Sequence, residues 1–514
     1  MPLTRAPFYL TTPIYYVNDV PHIGHSYTTV AADVLARYQR LKGSDVFFLT
    51  GTDEHGQKIQ RTAHAKDETP QELVDRMVDR FKDLWQHLQI SNDDFIRTTE
   101  TRHVKRVQSI FQRLYEKDDI YLGEYEGWYC VPCESFWTAG QLVGNKCPEC
   151  QRTVERLKEK NYFFRLSKYR DMILKHIDSH PEFVQPEARR NELWNRLRAD
   201  VEDISVSRQA LAWGIQVPMD PGHTIYVWID ALLNYITALG YDDEMERFKR
   251  YWPARVHLIG KEILWFHGAV WPAVLMALDV PLPQRIFAHG WWTIEGQKIS
   301  KSLGNVIDPL RITELYGVDA YRYFILKEVP FGLDGNFSYS ALVNRINSDL
   351  GNDLGNLLLR TLTMIEKYFG GLIPSPQGPG DEDKTLIQEA LDLETKIEKE
   401  MEAFQFSHVL EAIWGFINLS NRYIEESKPW VLAKEDRPKL SIKLYNLAEA
   451  LRLISIYIFP FMPQTSQEIQ SQLGISPEDT LQKRERIWGM VKPSSRINKG
   501  KPLFPRIEMS PQPA

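Results

Sequence analysis

The chain has 514 residues, 43% of them hydrophobic and 25% charged, which is typical of a globular protein of about three domains with a large core. Its formal net charge of −6 excludes a uniformly basic surface, so any RNA must bind through local basic patches. The longest apolar runs are too short to span a bilayer, and residues 1–7 contain no signal-peptide core, so we expect a cytoplasmic protein.

A strand followed by a helix is predicted near the start of the chain. Residues 8–12 are apolar enough for a buried strand, and helical periodicity follows from residue 30 to residue 42. The motif His-Ile-Gly-His at 22–25 lies between them, where free backbone N–H groups and the helix dipole suit a phosphate. Each histidine can donate a hydrogen bond to a phosphoryl oxygen. The alternative is a helix start that happens to contain two histidines.

A second buried strand is predicted over residues 46–49, and it ends in the polar stretch 51–56. Ligands bind at the carboxyl ends of parallel strands, so Asp53 is placed to hold an ammonium group there. The alternative is that Asp53 caps the helix that begins near Gln57.

The strand-helix alternation breaks over residues 119–215, and this range contains all four cysteines of the chain. They form two Cys-x-x-Cys pairs separated by thirteen residues, the spacing of a closed tetrahedral site for a structural Zn²⁺. A redox pair or unrelated thiols are the alternatives. The four predicted ligands are Cys130, Cys133, Cys147 and Cys150.

The α/β pattern returns from about residue 216. Residues 226–235 run from a strand-like stretch into a helix, and residues 256–259 and 285–288 read as buried strands. His267 and Trp271 are four residues apart on a predicted helix and therefore face one side; the usual interpretation of such aromatics is core packing. The predicted sheet is thus split by the cysteine-containing insertion.

A short polar stretch, Lys-Ile-Ser-Lys-Ser at 298–302, carries two lysines and two serines. A mobile cationic loop of this kind can hold nucleotide phosphates while charge shifts during a reaction. A solvated basic turn is the alternative.

Strands are not expected after about residue 345, and helices are predicted over 349–369, 408–426 and 440–459. The first of these carries a polar stripe at Asn352, Asn356 and Arg360, for which a solvated helix face is the usual explanation. Trp430 follows a helix end, where it either packs in the core or offers a platform for an unpaired base.

The His-Ile-Gly-His and Lys-Ile-Ser-Lys-Ser motifs, in this order, resemble the two signatures of class I aminoacyl-tRNA synthetases. Nearly the whole chain resembles the methionyl-tRNA synthetase family, through residues 12–19, 51–56, 227–231, 266–268, 271–272 and 502–506. Ile299 stands where the second motif often has Met. The resemblance implies a Rossmann-like α/β catalytic domain split by a zinc-knuckle insertion, followed by an all-α helical-bundle anticodon-binding domain. The implied ranges are 1–118 and 216–290 for the catalytic halves, 119–215 for the insertion, 291–345 for a linking region and 346–514 for the helical domain.

The implied activity is that of a methionine–tRNA ligase. Such an enzyme joins methionine to AMP at the expense of ATP and then transfers it to the terminal ribose of tRNA(Met), including the initiator tRNA. The implied cofactors are one structural Zn²⁺ and Mg²⁺ with ATP, and we expect a monomer. The rival hypotheses are a tRNA-binding relic without catalysis, another adenylyl transferase with the histidine motif, and a cysteinyl or leucyl synthetase.

The resemblance also implies roles for individual residues. Methionine is held at its amino group by Ile14 and Asp53 and surrounded at its side chain by Tyr16, Trp228, Leu232, Tyr235, His267 and Trp271. ATP is bound by His22, Gly24, His25, Gly260, Lys261, Glu262, Lys298, Ser300, Lys301 and Ser302, and the catalytic residues among these are His22, His25, Lys298 and Lys301. The CAU anticodon is read by Asn352, Asn356, Arg360, Pro429 and Trp430.

Overall fold

The computed structural model describes residues 5–508 except 19, 134, 138, 149, 200, 210, 295–296, 299–306, 377, 379 and 476–485. The chain divides into two compact units. The N-terminal unit comprises residues 1–32 and 44–289, and the C-terminal unit comprises residues 33–43 and 290–514.

The strands of the N-terminal unit alternate with helices along the chain. The strands are β1 (Pro7–Tyr16), β2 (Asp45–Asp53), β3 (Asp94–Arg97), β4 (Ile120–Cys130), β5 (Ser135–Trp137), β6 (Glu155–Phe164), β7 (Val184–Gln185), β8 (Ile204–Ser205), β9 (Ser207–Arg208), β10 (Gln216–Val217), β11 (Asp220–Ile225), β12 (Val256–Gly260) and β13 (Ile286–His289). The helices that begin in this unit are α1 (Ile23–Lys42), α2 (Gln57–Ala65), α3 (Pro70–His87), α4 (Thr101–Glu116), α5 (Leu166–Ser179), α6 (Glu187–Arg198), α7 (Val227–Thr237), α8 (Met245–Tyr251) and α9 (Trp271–Ala277).

A six-stranded sheet in the order β3-β2-β1-β12-β13-β7 forms the centre of the N-terminal unit, and all its neighbouring strands are parallel. Its middle strands are almost entirely buried, because helices cover both faces of a parallel sheet. The β1–β2 register shifts between Thr11 and Ile14, where Pro13 has no N–H to donate. The sheet therefore presents the carboxyl ends of β1, β2, β12 and β13 along one edge.

A four-stranded antiparallel sheet, β5-β4-β6-β8, is built around the long β4–β6 pair and carries the cysteines. The chain after it returns to the parallel sheet, where β7 pairs with β13. The range 119–215 that the sequence assigns to the insertion therefore also supplies the edge strand of the parallel sheet.

The C-terminal unit is mainly helical. Its strands form a small sheet in the order β15-β14-β16 and are β14 (Trp292–Ile294), β15 (Gln297–Lys298) and β16 (Gly335–Phe337). Its helices are α10 (Pro309–Tyr316), α11 (Val318–Lys327), α12 (Tyr339–Arg345), α13 (Asn356–Phe369), α14 (Lys384–Glu402), α15 (Phe406–Ser427), α16 (Pro429–Glu435), α17 (Arg437–Ile458) and α18 (Pro463–Gln472), with a π-helical stretch, Ile346–Gly355, before α13. Among the helices that the structure describes, none has the length and apolar character needed to cross a membrane.

The structure confirms the predicted fold class: a parallel α/β sheet, an insertion with four clustered cysteines and a C-terminal helical domain. Two predictions need correction. The strand-like stretch at Tyr226 is not a strand, because β11 ends at Ile225 and α7 begins at Val227. The helix that carries His267 is interrupted by a π-helical turn, Phe266–Val270, before α9 begins at Trp271.

Candidate functional site

The histidine motif lies where β1 gives way to α1, at the carboxyl edge of the parallel sheet. The carbonyl of His22 accepts from the backbone N–H groups of His25 (2.9 Å) and Ser26 (3.2 Å), so the motif forms the first turn of the helix. A Cβ at Gly24 would lie 3.0 Å from Cε1 of His22. Glycine at this position therefore lets the His22 ring fold back over the helix start.

The two motif histidines form a stacked pair with ring centroids 3.9 Å apart. The backbone N–H of His22 donates to Nδ1 of His25 (3.1 Å), and the backbone N–H of Gly24 donates to Nδ1 of His22 (3.1 Å). A nitrogen that accepts a hydrogen bond carries no proton, so in the neutral rings the proton is on Nε2. Each ring therefore has an N–H donor on the side away from the backbone.

The environment of the pair keeps both rings neutral. Burial lowers the pKa of His22, and the nearby Glu262 carboxylate partly opposes that effect. Burial and the neighbouring His22 lower the pKa of His25 well below its usual value. At neutral pH both imidazoles are thus hydrogen-bond donors without a formal charge.

The residues after β12 approach the same edge. Lys261–Ile263 forms a single 3₁₀ turn that begins directly after Gly260. A Cβ at Gly260 would lie 2.4 Å from Oε1 of Glu262, so the Glu262 side chain folds over this position. The structure therefore brings Gly260, Lys261 and Glu262 to the edge at which the histidine pair lies.

Asp53 is the last residue of β2 and is 9% exposed. It is opposite Tyr16 in the β1–β2 register, and Ile14 is opposite Gly51. Helix α2 begins after Gly56 without a side-chain cap, so the alternative that Asp53 caps this helix is wrong. Ile14, Tyr16 and Asp53 therefore lie together at the ends of adjacent strands.

A group of mostly aromatic side chains in the N-terminal unit, called the aromatic wall below, comprises Trp228, Leu232, Tyr235, Phe266 and His267. Trp228, Leu232 and Tyr235 follow one another on α7 at steps of four and three residues, and the Trp228 ring stacks on Phe266 with centroids 3.8 Å apart. The Tyr235 hydroxyl lies 2.7 Å from Nε2 of His267. These side chains combine flat apolar faces with few polar atoms, which suits a thioether.

The tautomer of His267 follows from its two partners. Nδ1 of His267 lies 3.0 Å from the carbonyl of Ile263, which only accepts, so Nδ1 carries the proton and the Tyr235 hydroxyl donates to Nε2. Burial lowers the pKa of His267 to about 4, although the Ile263 carbonyl opposes this effect. The ring is therefore a neutral and oriented part of the aromatic wall.

Trp271 packs against Tyr235 of this wall. Its side chain is fully buried, and its indole N–H donates to Nε2 of His257 (3.3 Å). Both Trp271 and His267 lie 5.8 Å from Tyr235, measured between ring centroids, as expected for residues on one side of a helix. Because its only polar atom is already used, Trp271 shapes the wall through packing.

A buried polar cluster in the N-terminal unit includes residues for which the sequence implies no role. Asp230 on α7 contacts His55, which follows β2, and His103 on α4, at 2.7 Å each. His55 and Asp230 belong to stretches through which the chain resembles the methionyl-tRNA synthetase family, so their presence in those motifs was an available signal. His103 lies in no such stretch, and only the structure identifies it.

The four cysteines converge at the end of β4 and in the turns that follow. Their sulfur atoms all lie within 4.8 Å of one another, with Cys130–Cys150 at 3.5 Å and Cys133–Cys147 at 3.9 Å. A tetrahedral Zn²⁺ with bonds of about 2.3 Å would hold its sulfurs about 3.8 Å apart. The separations are too long for a disulfide of about 2 Å and fit four thiolates around one metal ion.

The five residues expected to read the anticodon lie in the C-terminal unit. Asn352 and Asn356 are exposed, and Arg360 forms an ion pair with Glu425 of α15 (2.6 Å). Pro429 is buried, whereas Trp430 is 44% exposed in the first turn of α16. The exposure of Trp430 argues against a core role.

The lysine-serine motif is only partly described. Lys298 ends β15. Ser300, Lys301 and Ser302 lie outside the described residues.

Comparisons with known proteins agree with this arrangement. The family model described as tRNA synthetases class I (M) matches residues 8–158 and 152–362, and the model of the anticodon-binding domain of tRNA ligase matches residues 383–492. A methionine–tRNA ligase of Caldanaerobacter subterraneus subsp. tengcongensis is 58% identical over 98% of this chain and 80% of the relative. That of Bacillus subtilis is 50% identical over 99% of this chain and 79% of the relative.

Solved structures are similar as well. The Mycobacterium tuberculosis methionyl-tRNA synthetase in complex with methionyl-adenylate superposes with a TM-score of 0.94 at 41% identity, covering 98% of this chain and 100% of that chain. The apo form of the same enzyme gives a TM-score of 0.89 at 38% identity, covering 99% and 100%.

A parallel sheet with a histidine pair at its carboxyl edge and a helical anticodon-binding domain define a class I aminoacyl-tRNA synthetase. Within that class, the chain belongs to the methionine–tRNA ligase family.

Proposed function

We propose that the protein charges tRNA(Met) with methionine in two steps. The methionine carboxylate attacks the α-phosphorus of ATP and expels pyrophosphate, and a terminal ribose hydroxyl of the tRNA then attacks the methionyl-adenylate and releases AMP. The observation that carries the proposal is the histidine pair, whose neutral rings each direct an Nε2–H away from the backbone at the edge of the sheet. Anionic phosphoryl transfer needs such positioned donors more than it needs a strong base.

The proposed methionine site lies between the strand ends and the aromatic wall. Asp53, a buried carboxylate, pairs with the α-ammonium group together with the backbone of Ile14. Tyr16, Trp228, Leu232, Tyr235, His267 and Trp271 surround the side chain. A mostly apolar wall around a polarisable sulfur favours methionine over polar amino acids of similar length.

The proposed ATP site uses the histidine pair, Gly24, and the turn that follows β12. Gly260, Lys261 and Glu262 contact the nucleotide, and Mg²⁺ bound with ATP would neutralise charge on its phosphates. The roles of Lys298, Ser300, Lys301 and Ser302 rest on the sequence motif. In this proposal, Lys298 and Lys301 supply positive charge to the leaving pyrophosphate.

A structural Zn²⁺ is proposed at Cys130, Cys133, Cys147 and Cys150. The sulfur separations support it, because four thiolates at these distances leave no open position for catalysis. When bound, the ion holds together the two turns after β4, a region with few apolar residues of its own.

Anticodon recognition is proposed for the exposed polar face of the C-terminal unit. Asn352, Asn356 and Arg360 offer hydrogen bonds to base edges, and Trp430 offers a ring on which a base stacks, with Pro429 fixing the start of its helix. We also propose that the enzyme is a monomer and works in the cytoplasm, where translation takes place.

The experiment that tests this function is aminoacylation of transcripts of initiator and elongator tRNA(Met) with labelled methionine and ATP. We expect both transcripts to be charged, and we expect charging to fall by on the order of a hundredfold or more when the CAU anticodon is replaced. Equal charging of transcripts with unrelated anticodons would contradict the proposed recognition. No charging of either transcript would contradict the proposed reaction.

A further inference from the structure

The buried cluster around Asp230 is built from three separate parts of the N-terminal unit. Asp230 is fully buried in the first turn of α7, and its two carboxylate oxygens lie 2.7 Å from Nδ1 of His55 and 2.7 Å from Nε2 of His103. His103 is also fully buried, and its Nδ1 lies 2.7 Å from Oγ1 of Thr237 at the end of α7.

The chemistry of the carboxylate determines which ring nitrogens carry protons. Burial alone would raise the pKa of Asp230, but the two histidines more than offset this, and the pKa lies below its usual value. An ionised carboxylate only accepts, so His55 presents Nδ1–H and His103 presents Nε2–H to it. Both oxygens of this buried charge therefore have a donor.

The cluster connects the two segments that flank the proposed methionine site. His55 is two residues beyond Asp53, and Asp230 is two residues beyond Trp228 on the helix that also carries Leu232 and Tyr235. A shift of either segment would pull a hydrogen-bonded partner away from a fully buried charge, which is costly. The distance between Asp53 and α7 is therefore constrained by the Asp230 carboxylate.

Other contacts hold the loop after β2 in place. The Glu54 carboxylate accepts two hydrogen bonds from Arg97 (2.7 and 2.9 Å), and the Glu54 carbonyl accepts from the indole N–H of Trp213 (2.6 Å). The Trp213 ring lies edge-on to His55 at 5.5 Å. His55 thus belongs to a loop that is held by several contacts, and its hydrogen bond to Asp230 fixes the position of α7 relative to that loop.

We propose that Asp230 is a positioning residue for the amino-acid site, which acts through His55 and His103 to fix Asp53 relative to the aromatic wall on α7. The inference rests on the proposed function, because it concerns the binding of methionine. It assigns no contact between Asp230 and any substrate.

The test compares steady-state pyrophosphate exchange by the 514-residue chain and by its Asp230→Asn variant. The asparagine is isosteric but presents an NH₂ group to one of the two imidazoles, so that ring either loses its hydrogen bond or changes tautomer, and the buried negative charge that holds both rings is lost. We expect KM for methionine to rise by on the order of tenfold to a hundredfold, since small displacements of positioning groups have effects of this size. We expect KM for ATP to be unchanged.

A pair of His55 variants provides a rescue test. His55→Asn keeps an N–H donor near the position of Nδ1, whereas His55→Ala removes it. We expect His55→Asn to retain most of the affinity for methionine that His55→Ala loses, measured as the equilibrium Kd by tryptophan fluorescence.

Asp119 supplies the matched control. It is also a fully buried residue of the N-terminal unit, directly before β4, and its carboxylate accepts from Lys168 (2.6 Å) and Tyr169 (2.7 Å) on α5. Asp119→Asn should lower the unfolding temperature without changing the ratio of the two KM values.

Three results would overturn the proposal: an equal rise of both KM values in Asp230→Asn, no rise of either KM in that variant, or the same selective rise in Asp119→Asn. Absence of methionine-dependent exchange in the wild type would instead overturn the proposed function.

Discussion

The rings of His22 and His25 stack with centroids 3.9 Å apart, and each accepts a backbone N–H at its Nδ1. The backbone thereby determines the tautomer of both rings. A neutral imidazole that accepts at Nδ1 keeps a donor at Nε2 on the opposite side of a rigid ring, so the motif fixes the direction of both donors.

The first prediction concerns this donor. His22→Ala should slow adenylate formation by on the order of a hundredfold to a thousandfold, because one positioned donor to a developing charge is lost. His22→Gln, which retains an N–H at similar reach, should lose less. Single-turnover kinetics measure both, and the exposed His64→Ala serves as the control. A raised Kd for methionine with an unchanged chemical step would contradict the assignment of His22 to the phosphate.

The second prediction concerns acid stability. The pKa of His267 is about 4 in the folded state against a usual value of 6.5, so below about pH 6.5 the unfolded chain binds the proton first. His267 therefore contributes a loss of stability as the pH falls from about 6.5 to 4, amounting to about 3 kcal/mol.

Urea unfolding at about pH 7 and about pH 4.5 measures this effect. His267→Gln can still accept from Tyr235 but cannot be protonated, so its stability should fall less between the two pH values than that of the wild type. The same fall in both proteins would show that His267 is not buried in its neutral form. His64→Gln, at an exposed position, should behave like the wild type.

The third prediction concerns the cysteine cluster. Protein purified without chelator should contain close to one zinc per chain by elemental analysis, and Cys147→Ser should contain much less. Removal of the metal should lower the thermal unfolding temperature, because the turns after β4 are then no longer held together by an ion that both of them bind. Lys146→Ala, an exposed neighbour, is the control and should retain the metal. Full zinc content in Cys147→Ser would rule out a four-sulfur site.

The fourth prediction concerns Trp430, a residue that is 44% exposed. Trp430→Ala should weaken tRNA charging by about tenfold to a hundredfold, the cost of one lost base-stacking contact, and leave pyrophosphate exchange intact. Lys434→Ala is the control, because Lys434 is exposed on the same helix and its replacement removes a positive charge but no aromatic ring. An equal decrease in both assays would assign Trp430 to the stability of the fold.

Local patterns in the sequence were sufficient to predict the two short motifs and four strands of the parallel sheet. The His-Ile-Gly-His junction and the Cys-x-x-Cys pairs could be recognised because each depends on residues close together in the chain. The strands at 8–12, 46–49, 256–259 and 285–288 were predicted because buried parallel strands have continuous apolar runs.

Features that depend on distant contacts were not predicted. The Asp230 cluster joins residues 127 and 175 positions apart, and no local pattern pairs them. The π-helical turn at Phe266–Val270 changes the helix geometry without a distinctive residue, and β7 has only two residues. The roles of individual residues, including those of the lysine-serine motif, are predictions from the sequence. The domain boundaries are predictions as well.

Pyrophosphate exchange into ATP, measured with each of the twenty amino acids singly in the presence of Mg²⁺ and without tRNA, tests the proposed reaction and its substrate together. The proposed site predicts strong exchange with methionine and little with any other amino acid, because the aromatic wall and Asp53 together match its thioether and its ammonium group. Exchange with a different amino acid would contradict the assigned pocket. No exchange with any of the twenty would contradict the proposed chemistry and favour a protein that binds tRNA without activating an amino acid.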